Sequence, residues 1–260
     1  MRPVGCHVDG DQPLKIAATL GAGCVQIFLS DPQSFRAPPK RPDEEELKSS
    51  GFPIYVHAPY RINVCSPASN VRYGSRNVLK STLTAADRIG AAGVIVHGGH
   101  AEDDVSEGFG RWARTIEDLK CSTPVLIENT AGGKNAVARR MDDFAKLWET
   151  VKDVNPNITL GICIDTCHAH SAGEELSDVI ERVIGFAGKI DLLHANDSKD
   201  AAGSGRDRHC TLGTGEIDLD ALKHMIRAAN APVICENKQP QPGEVMQSDM
   251  DFVREALETP

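Results

Sequence analysis

No apolar run in this chain is long enough to cross a bilayer; the longest, such as Gly93 to Val96 and Val125 to Ile127, end after a few residues. The N-terminus lacks a charged segment followed by an apolar core, so no secretory signal is read there and a cytoplasmic location is expected. Cysteine occurs eight times but never as a CxxC pair. That spacing excludes the dense disulfide framework of small secreted domains and points to reduced thiols. Cys6, Cys24, Cys163 and Cys235 lie in apolar runs and read as small buried hydrophobes. Low-complexity tracts are absent, and no GxGxxG follows an early strand, which disfavours a dinucleotide-binding sheet. Positive charge is also short: a formal net charge of −9 excludes a protein that coats nucleic acid indiscriminately, because phosphate affinity comes largely from Lys and Arg displacing counterions. A local DNA site stays open, since three divalent ions would bring −9 to −3 and present their own charge to a phosphate.

What the chain does contain is a rhythm. Eight short β-rich runs recur along its 260 residues: Val4 to His7, Val25 to Leu29, Pro53 to His57, Gly93 to His97, Val125 to Asn129, Leu160 to Asp165, Asp191 to Asn196, and Val233 to Asn237. Most are apolar without polar alternation, as expected of parallel strands covered on both faces. Segments of helical composition lie between them, among them Ser75 to Ile89, Phe109 to Leu119, Asp142 to Val151, Glu175 to Phe186, Asp218 to Ala229 and Asp249 to Leu257. The alternation predicts an α/β chain folded as a single (β/α)8 TIM barrel over residues 1–260, with its active site at the C-terminal ends of the strands.

Those strand ends are uniform in chemistry. His57, His97, Glu128, Asp165, His194 and Glu236 close six successive runs. Any one of them alone is adequately explained as a helix cap or a loop hydrogen bond. Six converging on one barrel mouth would crowd ionised carboxylates together unless a cation were present. His168 follows Asp165 by three residues and is expected in the loop beyond that strand, while Asp207 and His209, two apart, share one side of an extended segment. Five histidines and four acids are too many for one tetrahedral ion and suit two or three, with zinc favoured and manganese or iron as substitutes. Multi-ion sites of this kind suit phosphoester hydrolysis.

The strings His57-Ala-Pro-Tyr60, His97-Gly-Gly, Glu128-Asn-Thr-Ala-Gly132, Gly161-Ile-Cys-Ile-Asp-Thr-Cys-His168, His194-Ala-Asn-Asp-Ser-Lys199 and Asp207-Arg-His209 resemble the endonuclease IV family of abasic-site endonucleases, in the family's order over almost the whole chain. The resemblance implies three zinc ions: the first held by His57, His97 and Glu128, the second by Glu128, Asp165, His194 and Glu236, the third by His168, Asp207 and His209. It implies Glu128 as the bridging catalytic residue. The implied reaction is hydrolysis 5′ to an abasic nucleotide in duplex DNA, leaving a 3′ hydroxyl and a 5′-deoxyribose phosphate, together with removal of blocked 3′ ends by a monomeric enzyme. The proline-rich segment Asp31 to Pro39 resembles the family's DNA-entering loop, which makes Arg36, Tyr60 and Arg61 the DNA-contact candidates, followed by Arg72, Arg139 and Arg206. The chain departs from the family pattern at Arg61, where an apolar residue is common, at Asn237, where Thr often follows the glutamate, and at His97-Gly, which lacks a common proline. None of these departures removes an expected ligand.

Two other readings compete. A sugar isomerase or epimerase on a similar barrel would use Glu128, Asp165, His194 and Glu236 but has no need of His57, His97, His168, Asp207 and His209. A sensor that binds damaged DNA without cutting it would have no reason to keep all nine. Of the remaining histidines, His224 reads as structural or exposed, His7 as lining the site, and His100 and His170 as loop or supporting positions.

Overall fold

The structure, a computed structural model, describes residues 2–237 and 244–258. The eight apolar runs form eight parallel strands: β1 (Val4–His7), β2 (Val25–Ile27), β3 (Ile54–His57), β4 (Gly93–His97), β5 (Val125–Glu128), β6 (Leu160–Asp165), β7 (Leu192–His194) and, after a two-stranded hairpin of β8 (Asp197–Ser198) and β9 (His209–Cys210), β10 (Val233–Cys235). They close on themselves in the order β1-β10-β7-β6-β5-β4-β3-β2, with β1 pairing to both β10 and β2. The expected barrel is therefore observed.

Strand pleat positions the site. Cys24, Tyr55, Ile95, Leu126, Cys163, Leu192 and Ile234 form one buried cluster, separate from the larger core between strands and helices. Side chains two apart on a strand point the same way. The residues two beyond this inner layer are Gln26, His57, His97, Glu128, Asp165, His194 and Glu236. Apolar packing below thus carries a polar ring above, at the C-terminal mouth.

The helices wrap the outside: α1 (Pro13–Leu20), α2 (Glu44–Ser49), α3 (Ser69–Ile89), α4 (Val105–Glu117), α5 (Met141–Val151), α6 (Thr166–Ala172), α7 (Val179–Ala187), α8 (Leu219–Ala228) and α9 (Glu244–Glu258). Their buried faces, for example Phe109, Trp112 and Ile116 on α4, pack on the strands at the 3.6-residue period. No helix among the described residues is long and apolar enough to cross a membrane.

Several details differ from expectation: α4 and α9 begin at Val105 and Glu244 rather than Phe109 and Asp249, and α7 begins at Val179 rather than Glu175. α3 begins at Ser69 rather than Ser75, because its first turns are largely exposed and carry no apolar stripe. The short helices α1 and α2 fall outside the expected segments; each buries only one to three side chains. His168 lies not in a loop but in the first turn of α6, a seven-residue helix buried all round and therefore without amphipathic periodicity.

Candidate metal centre

Each ligand position expected from the sequence arrives at the same mouth. His57 Nε2 and His97 Nε2 lie 3.3 and 3.2 Å from Glu128 Oε2. On the other side of that carboxylate, His194 Nδ1 lies 3.0 Å from Glu128 Oε1 and 3.2 Å from Glu236 Oε2. Ligand atoms of Glu128, Asp165, His194 and Glu236 all lie within 4.8 Å of one another, as do those of His57, His97 and Glu128 and those of Asp165, His168 and His209. Asp207 Oδ1 is 3.4 Å from His168 Nε2 and 2.9 Å from His209 Nε2. Glu128 thus sits at the junction of two groups and Asp165 beside the third.

Local chemistry explains how these side chains are aimed. Asp165 caps α6, its Oδ1 accepting from His168 N at 2.8 Å, while its Oδ2 accepts from Asn196 Nδ2 at 2.6 Å. The bland reading of a helix cap and the ligand reading are both satisfied by one carboxylate. Asn129 ties β5 to β6 by donating to Asp165 O and accepting from Asp165 N. His57 Nδ1 and His168 Nδ1 face the carbonyls of Ala58 and Asn129, which leaves each Nε2 lone pair for the site. His209 is held by pairing of β9 with β8, and buried Asp197 at the foot of that hairpin accepts from the backbone N–H of Ser198, Gly213, Gly215 and Ile217. The loop carrying Asp207 packs so closely on the segment after β5 that a Cβ at Gly132 would stand 2.2 Å from Gly205 O.

The charges fit a cation. Glu128, Asp165 and His194 are fully buried. Burial opposes ionisation of Glu128, yet His97 and His194 hold its carboxyl well below the usual range. Burial likewise opposes a charged His194, but Glu236 and Glu128 push it up to about 9. The same opposition acts on His168 and His209, where burial is overcome by Asp165 and Asp207 and both rings rise well above the ordinary value. Buried Glu128 Oε2 accepts no well-aligned hydrogen bond among the described residues, although His57 Nε2 and His97 Nε2 stand 3.3 and 3.2 Å from it, and His209 Nε2 faces the Asp207 carboxylate at 2.9 Å. A nitrogen-and-oxygen donor set converging on a buried carboxylate oxygen that accepts no well-aligned hydrogen bond fits divalent ions of the zinc class.

In the metal-free chain His194 has its pKa raised above the unfolded value. Its stabilisation is complete below about pH 6.5 and is lost as pH rises through about 9. The thermal midpoint of metal-stripped protein should therefore fall from about pH 6.5 to about pH 9; a rise across that window would contradict the electrostatic picture.

Sequence reasoning missed several neighbours. Gln26, Asn129 and Asn196 hold ligands but are of a type with no motif signal. Two thiols also approach: Cys163 near Glu128 and His194, and Cys167 near Asp207 and His209. Burial and then Glu128 push the Cys163 thiol well up, which keeps it protonated and a poor ligand.

Of the DNA-contact candidates, Tyr60 and Arg61 line the same mouth, whereas Arg36 lines a neighbouring cavity. Tyr60 is half-buried, its ring 5.2 Å from His57 and 5.7 Å from His97, so it braces ligands as well as facing the opening. Arg61 is exposed, with its guanidinium 5.2 Å from the ring centre of Phe35. This stack is a ridge between two cavities: one of about 470 Å3 that includes His97, His168 and Asp207, and one of about 880 Å3 that includes Arg36. Arg72 is occupied by the carbonyls of Ser66 and Pro67, and Arg206 is paired with Asp200. Arg139 Nε is buried without a hydrogen bond among the described residues. His7 and His170 are hydrogen-bonded near the site, while His100 and His224 pair with Glu102 and Glu181.

Residues 14–256 match the family model described as xylose isomerase-like TIM barrel. A protein of Mycobacterium marinum named "Probable endonuclease 4" is 49% identical over 256 residues, covering 98% of each chain. The chain belongs to the endonuclease IV family. A Mycobacterium leprae relative of the same name is 48% identical over 254 residues, 97% of this chain and 98% of that one. The crystal structure of endonuclease IV from Thermus thermophilus superposes with a TM-score of 0.83 at 25% identity, covering 98% of this chain and 99% of that one. A D-tagatose 3-epimerase-like protein shares the fold at a TM-score of 0.75 and 20% identity, covering 99% of this chain and 97% of that one. Within the endonuclease IV family, this chain is thus a nuclease-type hydrolase on a barrel it shares with that epimerase-like protein.

Proposed function

We propose that this chain hydrolyses the phosphodiester 5′ to abasic sites in duplex DNA, leaving a 3′ hydroxyl and a 5′-deoxyribose phosphate, and that the same site clears blocked 3′ ends. The observation that carries this reading is the convergence of all nine His, Asp and Glu side chains at one barrel mouth, with Glu128 shared between two groups. A sugar-epimerase site needs only the quartet of Glu128, Asp165, His194 and Glu236. The additional pair His57 and His97, and the additional group His168, Asp207 and His209, favour a multi-ion phosphodiesterase.

His57, His97 and Glu128 would hold a first zinc ion, Glu128, Asp165, His194 and Glu236 a second, and His168, Asp207 and His209 a third. Bound there, the ions supply Lewis-acid neutralisation of the phosphate and an acidified water. In the balanced reaction water adds to phosphorus, the bond from phosphorus to the 3′ oxygen breaks, and that oxygen takes a proton. Glu128 serves by remaining ionised within its ring of imidazoles. Burial, then Glu236 and Glu128, push the Tyr60 phenol up, so it stays a neutral hydrogen-bond donor beside the site. Arg36 and Tyr60 contact the DNA backbone, and Arg61, held over Phe35, offers a planar cation to the damaged stack. The enzyme would work as a cytoplasmic monomer.

The test uses zinc-loaded protein and a labelled duplex carrying one tetrahydrofuran abasic analogue, which cannot undergo β-elimination. A shorter strand ending in a 3′ hydroxyl is expected, absent from the undamaged duplex, lost with chelator and restored by zinc. If zinc-loaded protein leaves the analogue duplex intact, the cleavage reading fails; a gel shift without cleavage would then favour damage sensing, and conversion of a ketose would favour the epimerase reading.

A further inference from the structure

Strand β2 supplies none of the nine expected ligands, yet it sends one wholly buried polar side chain, Gln26, into the ring they form. Both ends of its amide are engaged. Oε1 lies 2.8 Å from His194 Nε2, and Nε2 lies 2.6 Å from Glu236 Oε1 and 3.0 Å from His7 Nδ1. We infer that Gln26 is a positioning residue that acts through both ends of its amide to present His194 and Glu236 to the second ion; the inference rests on the proposed metal reading.

The amide has only one workable orientation. Turned over, its oxygen would face the Glu236 carboxylate and its NH2 group would face His194, placing acceptor against acceptor at one end. In the observed orientation Oε1 can only accept, so His194 carries its proton on Nε2 when the ring is neutral. The lone pair is thereby directed to Nδ1, which lies 3.0 Å from Glu128 Oε1 and 3.2 Å from Glu236 Oε2. The other end of the amide fixes the twist of Glu236. Gln26 donates to Glu236 Oε1, while Asn196 Nδ2 reaches Glu236 Oε2 at 3.1 Å. His7 completes the arrangement by accepting the second amide hydrogen, its ring packed 4.6 Å from Phe28.

One side chain therefore sets the tautomer of an imidazole on β7 and the rotation of a carboxylate just beyond β10. Because Gln26 is shielded from solvent by its neighbours, it does not touch a phosphodiester, which separates its role from DNA binding.

The experiment compares Gln26→Leu and Gln26→Glu with the unsubstituted chain, using Zn2+ itself as the probe in competition with a chromophoric chelator. Leu keeps most of the volume and removes both contacts. Glu keeps the acceptor toward His194 but sets a carboxylate against Glu236. Both variants should bind the zinc ion held by His194 and Glu236 about 10- to 100-fold less tightly, seen as one weakened step in the competition, the range for residues that orient metal ligands. Excess zinc should restore cleavage of the tetrahydrofuran duplex, with KM for that duplex within about twofold of the unsubstituted value. Unchanged zinc affinity in Gln26→Leu overturns the inference, and retained affinity in Gln26→Glu overturns the two-ended role. The affinity measurement is independent of cleavage, so failure of the nuclease reading is seen separately, as an inactive unsubstituted enzyme. Unfolding midpoints of the metal-free variants identify a general loss of structure, which zinc would not titrate back.

Discussion

Replacing Glu128 by Gln is expected to lower incision of the abasic-analogue duplex by at least about 1000-fold, equivalent to about 4 kcal/mol of transition-state stabilisation, while the chain stays folded. Glutamine keeps the shape of the side chain but removes the charge that His57, His97, His168 and His194 all approach within 3.5 Å. It also turns an N–H donor toward imidazole nitrogens on one side of the former carboxylate. Among the described residues, no other carboxylate has atoms in both the group with His57 and His97 and the group with His194 and Glu236, so its loss disables two ion positions together. Steady-state cleavage, bound-zinc content and far-UV circular dichroism on the same preparation check this. A folded Glu128→Gln protein with normal turnover would sink the shared-ligand model.

The second large effect is on folding. Gly5 lies in β1, and a Cβ built there would stand 1.8 Å from the Cys24 carbonyl oxygen and 2.7 Å from its carbon. The obstruction is backbone. It cannot move aside easily, because Cys6 and His7 pair in register with Val25 and Gln26 of the adjoining strand. Gly5→Ala is expected to destabilise the protein by about 3 kcal/mol or more, the upper end of the usual overpacking range or beyond it, because the obstruction is backbone. Urea unfolding measures it; a loss under about 0.5 kcal/mol, the level of an ordinary surface change, would show that the barrel opens there without strain. Gly5 lies one pleat below His7 and away from the ligands, so cleavage per folded molecule should be preserved. That contrast separates this variant from Glu128→Gln.

The strands were legible because parallel strands buried on both faces read as continuous apolar runs, and Gly93–His97 and Val125–Glu128 show this plainly. The long helices α4, α5 and α8 were legible from their apolar stripes. α6 was not, since a helix buried on every side has no polar face to create a period, and from sequence His168 therefore reads as a loop residue. Gln26 is hidden for a different reason. It occupies the same pleat position as His57 and Glu128, but glutamine is not a usual zinc ligand, and its importance comes from partners on β7, beyond β10 and on β1.

The sequence by itself determined which residues stand at the strand ends and which way they point, because pleat parity is local: His97 follows Ile95, and Glu128 follows Leu126, by two. It also carried the six strings that mark the family. Only the tertiary structure decided that the ring closes, bringing His57 and Glu236 to one carboxylate-and-imidazole cluster across most of the chain. The tertiary structure likewise decided that Asp207 reaches His168, that His194 presents Nδ1 rather than Nε2, and that Arg61 lies over Phe35. These outcomes depend on closure, register and loop packing between residues far apart in the chain, and no local period of the sequence encodes them.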